Sequence, residues 1–259
     1  MKIGIFDSGI GGLTVFKEIE KRLPKNDYVY LGDTARLPYG IKSKKTIKNY
    51  SLKNTDFLVD KGCEIIIVAC NSASSYSIPI LKKRYKIPIF NVIESGVNAI
   101  SNSCSKVGII GTPSTIESES YLKLLKKNKK LKKIISESCP IFVPIIEQGL
   151  YKRKSVHFLI KDNLKKFQRD QVESLILGCT HYPLIKSIIK KILPKVTLVD
   201  SSVEVASSVA SFLSNTEKIG PKVNFKREIF FTDKSKYFEE VLKVMFKNLN
   251  YKVKLVDIR

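Results

Sequence analysis

Glu64-Ile65-Ile66-Ile67-Val68-Ala69-Cys70-Asn71-Ser72 and Glu173-Ser174-Leu175-Ile176-Leu177-Gly178-Cys179-Thr180-His181 are two versions of one pattern: an apolar run, a small residue, a cysteine and a polar side chain. An apolar run of this length, bounded by turn-forming residues, is the pattern of a strand buried on both faces of a parallel sheet. Open α/β sheets bind their ligands just beyond the carboxyl ends of such strands. The two segments therefore predict Cys70 and Cys179 at a cleft, one thiol on each side of its occupant.

Outward from these runs, strand-like and helix-like segments alternate. Lys2–Phe6, Tyr28–Leu31, Ile65–Ala69, Ile87–Val92 and Val107–Ile110 read as strands; Leu13–Leu23, Ser43–Lys61, Ser74–Tyr85 and Glu94–Ser101 read as helices. The alternation predicts an α/β fold with mainly parallel sheets. Lys2-Ile3-Gly4-Ile5-Phe6 is echoed by Lys106-Val107-Gly108-Ile109-Ile110, and each is followed by a small hydroxyl residue, Ser8 or Thr112. Lys2 precedes Cys70 by 68 positions and Lys106 precedes Cys179 by 73. Two similar α/β domains facing each other across a cleft would bring the two cysteines together. A last β-α-β pattern, Glu228–Asp233, Lys236–Phe246 and Lys252–Val256, returns to complete one of the sheets. The expected division is residues 1–95 with 208–259 for the domain carrying Cys70, and 96–207 for the domain carrying Cys179.

Composition narrows the function classes. The chain has 259 residues, 43% hydrophobic and 27% charged, which is ordinary for a soluble globular protein. Cys63, Cys70, Cys104, Cys139 and Cys179 make an odd count without C-x-x-C spacing. That argues against a disulfide framework or a zinc ribbon, and for a reducing, cytoplasmic location. An acidic residue arrives at Asp7, too early for a signal peptide. No run of about 18 apolar residues is present, so no membrane span is expected. The net charge of +22 raises nucleic-acid binding. However, the lysines recur along the whole chain, and the densest cluster, Lys123 to Lys133, falls at helical spacing among leucines without interleaved aromatics to stack bases. The charge is read as a solvated surface, not as a nucleic-acid interface.

A thiol does acid–base work only where its surroundings tune it. His181, one of two histidines, stands beside Cys179, and Asp7 ends the first strand near the expected position of Cys70. Asn71, Ser72 and Thr180 add amide and hydroxyl groups suited to a small charged ligand. Asp7-Ser8-Gly9-Ile10-Gly11-Gly12 opens a helix whose N-terminus favours an anion, but it lacks dinucleotide spacing and a P-loop lysine. Gly32–Gly40 is a turn-rich loop at another strand end. Cys63, Cys104 and Cys139 read as buried hydrophobes and His157 as a surface residue. A zinc site of Cys70, Cys179 and His181 is a competing reading. No lysine is singled out for Schiff-base chemistry.

Together, IGIFDSGIGGLTV at Ile3–Val15, GDTARLPYG at Gly32–Gly40, ACNSAS at Ala69–Ser74, CPIFVPIIEQG at Cys139–Gly149 and GCTHYPL at Gly178–Leu184 resemble the cofactor-independent aspartate/glutamate racemase superfamily. His181-Tyr182-Pro183 stands where aspartate-specific relatives tend to have an acidic residue, which places the resemblance on the glutamate side. The resemblance implies an isomerase: a racemase interconverting L- and D-glutamate with no cofactor and no metal. Its D-amino acid would supply peptidoglycan synthesis, and so cell-wall biogenesis and cell shape. A small-molecule substrate clamped between two α/β domains is implied, and a homodimer is compatible with it. Cys70 and Cys179 match the catalytic thiols, with Cys70 serving D-glutamate, assisted by Asp7, and Cys179 serving L-glutamate, assisted by His181. Asp7, Ser8, Tyr39, Gly40, Asn71, Ser72, Thr180 and His181 match substrate-binding or assisting positions, and Glu147 an acidic residue near the site. Three departures stand out: Ser72 where threonine is commoner, Gln148 where a second acid is common, and Ser201-Ser202 where glycine or proline is more usual.

Overall fold

In the computed structural model, which describes residues 1–214, 224–234, 236–246 and 251–258, the chain builds two parallel sheets. The first stretch runs β1 (Lys2–Asp7), α1 (Leu13–Arg22), β2 (Asp27–Gly32), α2 (Lys44–Asp60), β3 (Ile65–Val68), α3 (Asn71–Arg84), β4 (Ile89–Asn91) and α4 (Val92–Asn98). The second runs β5 (Lys106–Gly111), α5 (Pro113–Glu117), α6 (Ser120–Leu125), β6 (Lys133–Ser138), α7 (Phe142–Glu147), α8 (Lys154–Arg169), β7 (Ser174–Gly178), α9 (Lys186–Ile192) and β8 (Thr197–Asp200). Then follow α10 (Ser201–Ser214), β9 (Arg227–Phe231), α11 (Lys236–Met245) and β10 (Val253–Leu255).

The six-stranded sheet has the order β10-β9-β2-β1-β3-β4 and the four-stranded sheet β6-β5-β7-β8. Without β9 and β10, the two orders are the same, with β5 in the place of β1 and β7 in the place of β3. Every strand pair is parallel, with Ile3 opposite Ile65 in one sheet and Val107 opposite Ser174 in the other. Ile65, Ile66, Ile67 and Val68 are all fully buried, as a strand covered by helices on both faces requires. Helices α1, α10 and α11 cover one face of the larger sheet, and α2 and α3 the other. Helix α10 follows β8 directly, yet Val205, Ala206, Val209 and Leu213 pack into the core of the larger sheet. The expected crossing between residues 207 and 208 thus falls inside this helix. No helix among the described residues is long and apolar enough to cross a membrane.

Two local expectations are corrected. The lysine-rich stretch Lys123–Lys133 is not one helix: α6 ends at Leu125 and β6 begins at Lys133. As an edge strand, β6 is only partly covered and mixes lysine, serine and glutamate with isoleucine, so it lacks the apolar run of a central strand. Helix α3 begins at Asn71 instead of Ser74. Asparagine and serine are poor in helix interiors but suit a first turn, whose N–H groups have no intrahelical partner.

The final β-α-β unit adds β9 to the β2 edge and β10 beyond it. Phe231 of β9 is fully buried, 5.9 Å from Tyr30 and 4.6 Å from Phe238 between ring centroids. Phe231→Ala is expected to lower the free energy of urea unfolding by about 3–5 kcal/mol, the usual result of deleting a buried ring. A loss under about 1 kcal/mol would show that this unit does not share the core.

Candidate active site

In each sheet the chain steps to one side and then crosses back, from β1 to β2 and then β3, and from β5 to β6 and then β7. Such reversals leave a crevice at the carboxyl ends of the two middle strands. Ser8 and Cys70 follow β1 and β3; Thr112 and Cys179 follow β5 and β7. All four line a single cavity of about 430 Å³. The thiols are 5% and 8% exposed. Tyr39, Gly40, Asn71, Ser72, Glu147, Thr180 and His181 also line it, so the structure brings these predicted residues together.

Asp7 is the exception. It is 1% exposed and does not line the cavity. Its Oδ2 accepts from the backbone N–H groups of Gly9 (3.1 Å) and Gly12 (3.0 Å), fixing the loop after β1. Its Oδ1 is buried without a partner. Burial raises the Asp7 pKa, opposed by the nearby His181 and by the loop amides. Cys70 Sγ lies 3.6 Å from Ser8 Oγ at the N-terminus of α3. Burial, reinforced by the Asp7 charge, pushes the Cys70 thiol up to about 12, although N–H groups of Ala73 and Ser8 pull the other way. A thiol so placed holds its proton at neutral pH.

The second side is built differently. Cys179 Sγ is 3.7 Å from His181 Nδ1, and His181 Nε2 is 3.0 Å from Glu147 Oε1, at the end of α7. Burial alone would lower the His181 pKa, but hydrogen bonds and charge from Cys179 and Glu147 outweigh it and raise the value to about 10. The imidazole is therefore a cation at neutral pH, with one N–H facing the sulfur and the other the carboxylate. The glycine loop comes close here: a Cβ on Gly11 would stand 2.4 Å from Thr180 Oγ1 and 2.6 Å from the His181 ring, so only glycine fits.

Hydroxyls join the two sides. Ser72 Oγ is 3.1 Å from Thr112 Oγ1, which is 3.0 Å from Thr115 Oγ1, and the Thr14 hydroxyl donates to Thr180 O at 3.1 Å. The Tyr39 hydroxyl donates to Asp33 and accepts from Asn54 (3.0 Å), while Arg36 binds Asp33 Oδ1 at 2.9 Å, so the Gly32–Gly40 loop is braced from behind. Sequence reasoning did not place Thr112 in the site, although its echo of Ser8 was the signal. It also did not anticipate the apolar wall of Leu37, Pro113, Pro140, Val143 and Pro144. No lysine or arginine is among the described residues lining the cavity.

Cys63, Cys104 and Cys139 are buried away from the cavity lining, and all five cysteines are free. His157 is half-buried on α8, its Nε2 2.9 Å from Tyr151 O. A larger, shallower hollow of about 470 Å³ near Arg36, Asp233 and Leu255 contains neither thiol nor histidine. Among the described residues no group of three His, Cys, Asp or Glu side chains converges as a metal ion would need.

The pattern of the Asp/Glu/hydantoin racemase family matches residues 3–209. The chain is 46% identical over 259 residues to a glutamate racemase of Aquifex pyrophilus, covering 99% of this chain and 98% of the relative. It is 45% identical to one of Aquifex aeolicus, covering 95% and 94%. Among solved structures, a glutamate racemase of Francisella tularensis in complex with D-glutamate superposes with a TM-score of 0.93 at 36% identity, over 99% of this chain and 97% of that one.

The folded protein holds the His181 proton to about pH 10, whereas the ordinary histidine value is 6.5. The share of this rise that Glu147 provides makes the native state bind more protons than the unfolded chain above 6.5, whereas a proton passed from Cys179 leaves the count unchanged; the stability Glu147 contributes, complete below 6.5, is lost as pH rises through the window. Thermal unfolding from pH 6.5 to 8, below the ordinary thiol value of 9.0, is expected to show a falling Tm that flattens in His181→Asn. Parallel curves for the two proteins would refute an extra proton held on His181 by Glu147.

Proposed function

The chain belongs to the Asp/Glu/hydantoin racemase family and is an amino-acid isomerase of that family, and on this footing we propose that it interconverts L- and D-glutamate by a two-thiol acid–base mechanism without a cofactor. The observation that carries this reading is the pair of buried cysteines at equivalent strand ends, opening on one cavity from two sheets. Inverting an α-carbon needs a base on one face and an acid on the other. For L-glutamate, Cys179 takes the α-proton as thiolate while the His181 cation, backed by Glu147, compensates charge on the sulfur. Cys70, held as a thiol by burial and Asp7, gives its proton to the opposite face. In the other direction Cys70 takes the proton and Cys179 returns one, with Asp7 assisting at the first thiol.

Proton removal drives negative charge onto the α-carboxylate, where preorganised donors act most strongly. Ser8, Asn71, Ser72 and Thr180 supply such donors, with Tyr39 and Gly40 beside the same cavity. The apolar wall excludes water from the reacting carbon. The division of labour proposed is residues 1–95 with 208–259 around Cys70, and 96–207 around Cys179. The D-glutamate formed would serve peptidoglycan synthesis in the cytoplasm.

Incubation with either enantiomer in deuterated water is expected to give product deuterated at Cα. Cys70→Ser and Cys179→Ser should each lower kcat by about 10²–10⁴-fold, the usual weight of general acid–base groups, because a serine hydroxyl is far less acidic than a thiol. Cys63→Ser, Cys104→Ser and Cys139→Ser should alter stability more than chemistry. Near-normal racemisation by Cys179→Ser would defeat the two-thiol mechanism. A clear preference for aspartate over glutamate would overturn the substrate.

The helpers should separate by direction. The α-hydrogen of one enantiomer points to one side, so Asp7→Asn is expected to change the primary deuterium isotope effect mainly from D-glutamate, and His181→Asn mainly from L-glutamate. Equal changes in both directions for both variants would overturn this assignment and leave the racemase reading intact.

A further inference from the structure

Tyr121, in the first turn of α6, is 2% exposed. Its ring packs against the strand end below Cys179, where a Cβ on Gly178 would come within 3.3 Å of it. Its hydroxyl reaches the other half of the molecule and donates to Asn71 Oδ1 at 2.8 Å. Ser201 Oγ lies 3.5 Å from the same phenol oxygen. An amide oxygen only accepts, so the single phenol proton is committed to Asn71, and the Ser201 hydroxyl is left to donate to the phenol oxygen.

An asparagine amide has two ends of opposite character. Anchoring Oδ1 on Tyr121 leaves Nδ2, the donor, for the cavity that Asn71 lines. Turned the other way, the amide would aim a carbonyl oxygen at a carboxylate. We propose that Tyr121, backed by Ser201, is a positioning residue that sets Asn71 with its donor toward the carboxylate of the substrate. This rests on the reading of Asn71 as a glutamate-binding residue. The hydrogen bond also crosses the seam, so the amide is oriented only when the two halves are in register. Burial raises the Tyr121 pKa, so the phenol keeps the proton that the arrangement needs.

The test is steady-state kinetics with L- and D-glutamate for the wild type, Tyr121→Phe, Ser201→Ala, Asn71→Ala and the Tyr121→Phe/Asn71→Ala pair. Phenylalanine keeps the ring and removes only the hydroxyl. Tyr121→Phe is expected to lower kcat/KM by about three- to tenfold in both directions, the weight of one neutral hydrogen bond, partly in KM because the carboxylate is held before proton transfer and partly in kcat because its charge grows during it. Ser201→Ala should move KM the same way by about twofold, as the loss of a supporting donor in a network does. On the Asn71→Ala background Tyr121→Phe should do nothing more, whereas a merely structural tyrosine would give its full effect again. Unchanged kcat/KM in Tyr121→Phe, or a full additive effect with Asn71→Ala, overturns the proposal. If Tyr121→Phe does not fold, Ser201→Ala decides, measured alone and combined with Asn71→Ala: an unchanged KM, or a rise that persists on the Asn71→Ala background, overturns the proposal, and a raised KM absent from that background supports it. A wild type that does not racemise glutamate overturns the reading of the site and this proposal with it, and is distinguished by the wild-type control alone.

Discussion

Taking ionisable groups out of water is the constraint on which this structure turns. Two thiols, a carboxylate and an imidazole all sit in the seam between two sheets, each less than a tenth exposed. Burial alone would protonate the carboxylate and the thiol and would strip the imidazole of its charge. The two sides answer that pressure unequally. Beside Cys70 the Asp7 charge adds to the effect of burial, and the proton stays on sulfur. Beside Cys179 the His181–Glu147 pair opposes burial, and a cation persists. Two halves of matching topology thus hold two thiols in contrasting surroundings.

The central strands were legible because burial on both faces leaves an uninterrupted apolar run, seen in Ile65–Val68 and again before Cys179. Edge strands lack that signature, so β6, with lysine, serine and glutamate among its isoleucines, was silent. The cavity lining was legible where it follows a strand end directly, as for Cys70, Asn71, Cys179 and His181. Glu147 was accessible only through resemblance, since its meeting with His181 joins positions 34 residues apart and leaves no local pattern. Thr112 was visible as an echo of Ser8 without being recognised as part of the cavity. Tyr121 gave no signal at all, because a tyrosine among leucines reads as core until its hydroxyl is followed to Asn71.

Small polar contacts cross the seam between the halves, beside apolar packing of Leu184 on one core and Ile93 on the other. Thr14 reaches Thr180, Ser72 reaches Thr112, and Ser120 donates to Ser75 O at 2.8 Å. Each involves a residue within a few positions of the cavity lining. Helix α10 adds the covalent tie, leaving β8 of one sheet and packing on the core of the other. A shift of one half against the other would change these hydrogen bonds, and would also disturb Leu184, which packs against the core of the larger sheet.

The absence of lysine and arginine from the described lining sets the cavity apart in a chain whose net charge is +22. The surface charge acts at a distance: it enriches small anions around the molecule and fades over the Debye length as salt is added. Inside, hydroxyls, amides and one imidazolium take over. A racemase releases a product with the same charges as its substrate, so a deep ion pair with a fixed lysine would retain both equally and lengthen every residence. A diffuse field raises the rate at which anions arrive and weakens as salt is added, whereas the short-range donors of the cavity are left unscreened, so ionic strength reaches capture before it reaches the chemistry.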